Sequence, residues 1–170
     1  MPKIVRFYVR FIDAMSQRVG KVVRYGVLAM IGILLFETVS RTVFDSPRAW
    51  TVELSQFVMA SYYILGGSCA LLMGGHVRMD LLYERWSAKR RAIVDAITVS
   101  VAIVYIGIFI LGGINSAMYA LRYGQITYSP WGPPLAPIKI IFVLGATMML
   151  LQIIANFFRD LAIARGKPIT

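Results

Sequence analysis

The chain has 170 residues, of which 58% are apolar and 15% are charged, and its formal net charge is +10. Charged residues make up about a quarter of an ordinary soluble domain. The sequence also contains several long apolar runs, each able to cross a hydrocarbon layer of about 30 Å, and a soluble fold of this size could not bury them all. The composition therefore predicts an integral membrane protein and excludes an ordinary soluble domain.

Residues 1–24 precede the first apolar run and are predicted to form an amphipathic helix. Apolar side chains recur there at helical spacing, and basic residues such as Arg6, Arg10 and Lys21 lie elsewhere around the helix. The segment either lies flat at the inner leaflet or extends the first spanning helix into the cytoplasm. Because the basic stretch is long and no small-residue cleavage site follows it, we expect it to be retained rather than removed as a signal peptide.

The fold class predicted from the apolar runs is an all-α integral membrane protein with a single membrane domain. Its four transmembrane helices are expected at residues 25–44, 54–75, 96–121 and 139–158. A second amphipathic interfacial helix is predicted at residues 77–91, where it would connect the second and third spans. Residues 159–170 would form a cytoplasmic tail.

The distribution of basic residues predicts the orientation of the chain in the membrane. Residues 1–24, the 76–91 segment and the C-terminal tail carry most of the Lys and Arg, whereas the loops 45–52 and 122–138 hold only Arg48 and Arg122. The positive-inside rule then places both termini in the cytoplasm. Basic residues in these positions would contact membrane lipids, which accounts for the positive net charge. They are not gathered on one folded basic face, which argues against a nucleic-acid partner.

Two charged side chains interrupt the first apolar run. Glu37 and Arg41 stand four residues apart, so on a helix they share one face and can form an intramembrane ion pair. Ionisable groups inside a bilayer are costly, which makes them functional candidates. The pair is either structural, within this chain or at a subunit contact, or it couples to an ion or substrate.

Small and amide side chains in the other spans predict helix packing or subunit contacts. Hydrophobic burial does not drive association in lipid, so close approach at small residues and hydrogen bonds between amides take its place. The residues with this predicted role are Gly66, Ala70, Gly74, Gly112, Ser116, Gln152 and Asn156.

No cofactor, metal site or enzymatic activity is predicted. Cys69 is the sole cysteine and His76 the sole histidine, which excludes an internal disulfide, a CxxC pair and a bis-histidine haem. No Ser/His/Asp set and no phosphate-binding glycine loop can be assembled from the sequence.

The two loops predicted to face the periplasm are short and rich in proline and tryptophan. Their tryptophans are either interfacial anchors or part of a docking surface for a periplasmic or membrane partner. The candidate docking residues are Asp45, Arg48, Trp50, Glu53 and Trp131.

Nearly the whole chain resembles the small membrane subunit, the DctQ type, of tripartite ATP-independent periplasmic (TRAP) transporters. Each matching motif is weak alone, but their order and spacing are moderately specific. The resemblance rests on Arg41, Trp50 with Glu53, the run Gly75-His76-Val77-Arg78-Met79-Asp80, Gly124, Ser129, Pro134-Leu135, Leu144-Gly145 and Leu151-Gln152. The chain departs from the family pattern at Leu72 and Met73, at Ala136 and at Val143.

The resemblance implies a system in which a periplasmic substrate-binding protein delivers an organic anion to a large membrane subunit. That subunit would move the anion together with sodium ions, and this chain would be a non-catalytic scaffold that also contributes to docking. The alternative is a small self-sufficient four-helix transporter that uses Glu37 as a proton-coupled site. A respiratory-enzyme anchor is a third interpretation, but the chain lacks haem ligands.

Overall fold

The structure is a computed structural model that describes residues 3–73 and 88–164. These residues form four helices, α1 (Lys3–Val43), α2 (Ala49–Leu72), α3 (Ala88–Tyr123) and α4 (Ala136–Ala164). All four are long and apolar enough to cross a membrane. This confirms the all-α fold class and the four spans predicted from the apolar runs.

The first helix is longer than the predicted first span. It continues without a break from Lys3 to Val43, and its 41 residues correspond to about 60 Å. The N-terminal amphipathic stretch is thus an extension of the spanning helix rather than a separate element. Such a helix is about twice as long as the hydrocarbon layer is thick, so part of it lies beside or beyond the lipid core.

The remaining boundaries also differ from the predicted ones. Helix α2 begins at Ala49 rather than at residue 54, which places Trp50 and Glu53 in its first turns. Helix α3 begins at Ala88, inside the predicted connector, and α4 extends to Ala164, into the predicted tail. The rest of the predicted connector, residues 77–87, lies outside the described part of the chain.

Helix α4 is at the centre of the arrangement. It packs against α1, α2 and α3, and α1 and α2 pack against each other as an antiparallel pair, whereas α3 packs chiefly on α4. We call the side with the α1–α2 and α3–α4 loops the loop end. The opposite side, where α1 begins and where α2 and α4 end, is the terminal end.

Close backbone approach and a small apolar cluster hold α4 in place. A Cβ atom on Gly145 would lie 2.9 Å from the backbone oxygen of Ile64, so α2 and α4 touch at a position that excludes any larger residue. At the terminal end, Val9 and Ile12 of α1 are buried against Ala155 of α4. Contacts of this kind are the main source of helix association in lipid.

Candidate functional site

Glu37 of α1 lies at the loop end and joins α1 to the start of α2. Its Oε2 atom accepts hydrogen bonds from the Thr51 hydroxyl at 2.6 Å and from the Arg48 backbone N–H at 3.4 Å. The Thr51 hydroxyl is also 2.6 Å from the Arg48 carbonyl oxygen, and its single proton can go to one acceptor at a time. Thr51 is 1% exposed and Glu37 is 9% exposed, so the contact is shielded from the surroundings.

The second oxygen of Glu37 interacts with Arg41 one turn later. Arg41 Nη2 lies 3.0 Å from Glu37 Oε1, at the i, i+4 spacing that the sequence predicted for an ion pair. The N-cap residue of α2, Arg48, makes no side-chain capping bond. The Glu37 carboxylate of α1 supplies a negative charge at this helix start instead, where the helix dipole favours an anion. Glu37 thus links α1 to the start of α2 through hydrogen bonds.

The turn between α1 and α2 is closed by two serines. The Ser40 hydroxyl donates to the Ser46 carbonyl at 2.7 Å, and the Ser46 N–H donates to the Ser40 carbonyl at 3.1 Å. Between them Asp45 adopts φ +47°, a left-handed conformation that Asp tolerates better than most residues. Trp50 packs its ring 5.8 Å from that of Phe36. The turn is therefore fixed by bonds on both sides of Asp45.

A second polar network lies at the terminal end and joins α1 to α4. Gln152, fully buried, accepts from the Ser16 hydroxyl at 2.7 Å and donates to Asp13 Oδ1 at 3.0 Å. The other oxygen of Asp13 forms an ion pair with Arg159. Both termini of the Gln152 side-chain amide are thus satisfied across the helix interface, as burial of a polar group requires.

Asn156 brings α2 into the same network. Its Nδ2 atom donates to the Leu71 carbonyl, one of the last of α2, at 3.2 Å. Its Oδ1 atom accepts from Gln152 at 3.3 Å and from Arg159 at 3.1 Å. Three helices consequently meet at one continuous set of hydrogen bonds.

The glycines closest to neighbouring helices are not those selected by the small-residue pattern. A Cβ on Gly66 would meet Val23 at an ordinary 3.8 Å, and one on Gly112 would meet nothing within 4 Å. One residue further on, a Cβ on Gly67 would lie 2.8 Å from Met149 Sδ. A Cβ on Gly113 would likewise lie 3.0 Å from Val143 Cγ2. Inside the chain, the close contacts on α2 and α3 therefore sit one residue after Gly66 and Gly112, whose role in helix packing or subunit contact stays a prediction.

The other residues with a predicted packing or motif role are placed as follows. Ala70 is partly buried on α2, and the backbone carbonyl of Ser116 on α3 lies 3.4 Å from Lys139 Nζ. Gly74, Gly75, His76, Arg78 and Asp80 lie outside the described residues.

The loop between α3 and α4 is folded rather than extended. Ile126 and Pro134 form a β-bridge, supported by bonds from Thr127 N to Pro133 O at 3.0 Å and from Leu135 N to Gln125 O at 2.9 Å. Gly124 and Gly132 both have φ +59°, which favours glycine at the two bends.

The α3–α4 loop exposes aromatic side chains and is bonded to the start of α4. Tyr128 is fully exposed and Trp131 is 44% exposed. Lys139 at the start of α4 donates to Gln125 Oε1 at 2.7 Å, which ties the loop to α4. On the neighbouring turn Asp45 and Arg48 are exposed.

Glu53 differs from the other candidate docking residues. It is partly buried on α2, and its Oε2 atom is shielded from solvent without a hydrogen-bond partner among residues 3–73 and 88–164. A buried carboxylate oxygen without a donor is costly and calls for an explanation. Glu53 is thus placed at the base of the loop end rather than on its open surface.

Sequence reasoning missed three residues that complete these networks. Asp13 is the one acidic residue of the first 24, and that isolation in a basic stretch was a usable signal. Arg159 was assigned only to the basic tail, and its partner lies 146 positions away in the chain. Nothing in the sequence marked Thr51. Among the described residues, no group of His, Cys, Asp or Glu is arranged to hold a metal ion.

Comparisons with known proteins agree with the arrangement of the chain. A family model described as "Tripartite ATP-independent periplasmic transporters, DctQ component" matches residues 30–163. The chain is also 33% identical over 89 residues to the sialic acid TRAP transporter permease protein SiaT of Haemophilus influenzae strain 86-028NP. That match covers 52% of this chain but only 14% of the relative. The chain belongs to the DctQ component family of TRAP transporters, and it is a multi-pass inner-membrane transporter component rather than an enzyme.

Proposed function

We propose that the chain is the small subunit of a sodium-coupled TRAP transporter for organic anions. It would stabilise a large membrane transport subunit and contribute to docking of a periplasmic substrate-binding protein. The observation that carries this proposal is the family match over residues 30–163. The structure supports it because Glu37 and Asp13, two ionisable groups inside the helices, each join two helices through hydrogen bonds.

The scaffold part of the proposal rests on how Glu37 is used. A proton-coupled site must exchange its proton with water or substrate during transport. Glu37 is 9% exposed, and its carboxylate pairs with Arg41 and accepts from Thr51 and the Arg48 N–H, so protonation would remove the ion pair and weaken the other two bonds. This counts against the self-sufficient transporter with Glu37 at its centre.

The docking part of the proposal concerns the loop end, which we place in the periplasm on the basis of the basic-residue distribution. The α1–α2 turn presents Asp45 and Arg48, and the α3–α4 loop presents Trp131 and Tyr128. Trp and Tyr are enriched at protein interfaces, and charges there steer the approach of a partner. Trp50 and the partly buried Glu53 would support this surface from within α2.

The substrate class follows from the relative and from the resemblance together. The relative is named for sialic acid, which carries a carboxylate at neutral pH. The chain spans 14% of that relative, so the anion transported by this system is a proposal at the level of class. Organic carboxylates are the first compounds to examine.

Uptake in proteoliposomes tests the proposal. Radiolabelled sialic acid and a panel of simple dicarboxylates would be offered under a sodium gradient to this chain alone, to the chain with its large membrane subunit, and to both with the periplasmic binding protein. We expect sodium-dependent uptake of at least one compound only with the full set. Uptake by this chain alone, or uptake that is unchanged when the chain is omitted, would overturn the proposal.

A further inference from the structure

We propose that the exposed side of α3, together with the groove between α3 and α4, binds one transmembrane helix of the large membrane subunit. The proposed contact includes a hydrogen bond from that helix to Asn115. This inference rests on the proposed function and assigns the partner to a particular face of the chain. Three observations carry it: the position of α3, the open groove, and the unpaired amide of Asn115.

Helix α3 uses only one side for packing within the chain. Ala117 and Ala120 are 7% and 1% exposed, and Gly113 lies against Val143 and Phe142 of α4. Because successive residues turn by about 100° around a helix, Asn115 projects to the side away from these three. That outer side is left uncovered in the described part of the chain.

The groove beside this contact is large enough to receive side chains from another helix. It has a volume of about 500 Å³, and its walls include Ile108, Gly112, Ser116 and Phe142. A Cβ atom on Gly112 would meet no atom within 4 Å, so the glycine leaves space that α4 does not use. A neighbouring helix of the same chain occupies the space beside three other glycines, Gly67, Gly113 and Gly145. Gly112 offers the same close approach to a helix that is not part of this chain.

Asn115 identifies the chemistry of the partner. It is exposed, and no hydrogen bond joins its side chain to any described residue. The candidate span is Ile97–Tyr123, so Asn115 lies about 8 Å along the helix from its midpoint, well inside a hydrocarbon layer of about 30 Å. An amide there finds no donor or acceptor in lipid, and leaving it unsatisfied is costly.

Several other polar side chains in the spans avoid this cost within the described part of the chain. The hydroxyls of Thr38, Ser61 and Thr147 each bond to the carbonyl four residues earlier in their own helix. Gln152 and Asn156 are satisfied across helix interfaces. Asn115 has neither solution, which favours a partner helix with a Ser, Thr, Asn or Gln side chain and small residues at the crossing.

Two leucine substitutions test the face without disturbing the chain itself. Gly112→Leu fills the groove, and Gly32→Leu is the matched control, because a Cβ at Gly32 of α1 also meets nothing within 4 Å. Each variant would be co-expressed with an affinity-tagged large subunit and recovered in mild detergent. We expect Gly112→Leu to reduce recovery about tenfold and Gly32→Leu to leave it within about twofold of wild type.

Asn115→Leu and Asn115→Gln test the hydrogen bond. We expect the leucine variant to lower recovery about threefold and the glutamine variant to restore part of the loss, since glutamine keeps the amide. The melting temperature of each variant without the large subunit should equal that of the wild type. A lower melting temperature would mean that α3 packs on this face within the chain, and it would overturn the inference.

The remaining outcomes separate this inference from the proposed function. Equal recovery of Gly112→Leu and Gly32→Leu, while the wild type is recovered, would overturn the assigned face and leave the scaffold role intact. A homodimer of the isolated chain that Gly112→Leu abolishes would identify a second copy as the occupant and overturn the assignment to the large subunit. Failure of the wild-type chain to be recovered with the large subunit would instead contradict the proposed function.

Discussion

Polar side chains in the membrane find hydrogen-bond partners differently in two regions of the chain. One region is the three-helix set α1, α2 and α4, and the other is the single helix α3. In the three-helix set, Glu37 and Gln152 bond across helix boundaries, one at each end. On α3, Asn115 has no partner among the described residues, and α3 packs chiefly on α4. Since polar bonds and close packing hold membrane helices together, the first region is held together within this chain, whereas the outer side of α3 is open to another.

The largest effect on stability is expected where helix backbones touch inside the three-helix set. Gly145→Leu would place its side chain where the Ile64 backbone oxygen lies, 2.9 Å from the Cβ position. Backbone cannot move aside as a flexible side chain can, so we expect a loss of about 3 kcal/mol or more and little monodisperse protein. Size-exclusion chromatography and thermal unfolding in detergent would measure it.

The control for Gly145→Leu is Gly32→Leu, which adds the same side chain in open space on α1. A wild-type elution profile for the control shows that leucine at a membrane glycine is tolerated in itself. If Gly145→Leu unfolded at the wild-type temperature, the close α2–α4 contact would be refuted.

The second-largest effect on stability is expected at the loop end of the three-helix set. Glu37→Ala removes the acceptor of the Thr51 hydroxyl and the Arg48 N–H, and leaves Arg41 without its counter-charge. We expect the melting temperature in detergent to fall by several degrees. Glu37→Gln should fall less, because its amide oxygen can still accept from Thr51.

Uptake measurements with the same variants distinguish a structural from a coupling role for Glu37. In proteoliposomes with the full transporter, Glu37→Gln should retain most of the uptake while its melting temperature drops. Thr38→Val is the control, since the Thr38 hydroxyl bonds only to Leu34 of its own helix. Abolished uptake in Glu37→Gln at wild-type stability would indicate ion or substrate coupling instead.

The two regions also differ in how far the sequence predicted them. Apolar runs longer than a bilayer crossing predict four spans from composition alone, and the i, i+4 spacing predicts that Glu37 and Arg41 can pair. Asp13 could have been noticed as the one acidic residue of the first 24, but its partners, like the contact between Thr51 and Glu37, depend on how separate helices cross. The glycine pattern selected Gly66 and Gly112, whereas the close contacts inside the chain are at Gly67 and Gly113, because the sequence does not show which face of a helix meets a neighbour in the same chain and which meets another subunit.

A smaller effect is expected from the network at the terminal end. Ser16→Ala and Gln152→Leu each remove the 2.7 Å bond between these residues, and Gln152→Leu also removes the bond to Asp13. Interhelical hydrogen bonds in membranes contribute about 1 kcal/mol or less on average, because the separated helices find other partners. We expect a coupling energy of that size for the Ser16–Gln152 pair from a double-mutant cycle.

Unfolding in mixed detergent would supply the four free energies of that cycle. Its control is a cycle between Ser16 and Thr147, whose hydroxyl bonds to Val143 of its own helix, and which should give additive changes. Additivity in the Ser16–Gln152 cycle would mean that their contact does not stabilise α1 on α4.

The smallest effect on stability, and the one that reaches furthest beyond the chain, is expected from Arg48→Glu. The side chain of Arg48 is exposed at the loop end, and the bond to Glu37 uses its backbone N–H, which the substitution keeps. Stability should therefore change by no more than about 0.5 kcal/mol. Charge reversal at the rim of an interface mainly slows association. Half-maximal uptake should therefore require about tenfold more periplasmic binding protein at low salt, and this difference from the wild type should become smaller at high salt.

The control is Arg18→Glu, which makes the same reversal on an exposed residue toward the terminal end. A periplasmic partner would not reach that end, so the amount of binding protein required should stay unchanged. Equal requirements for both variants would remove Arg48 from the docking surface, and a shift with Arg18→Glu alone would reverse the proposed orientation of the chain.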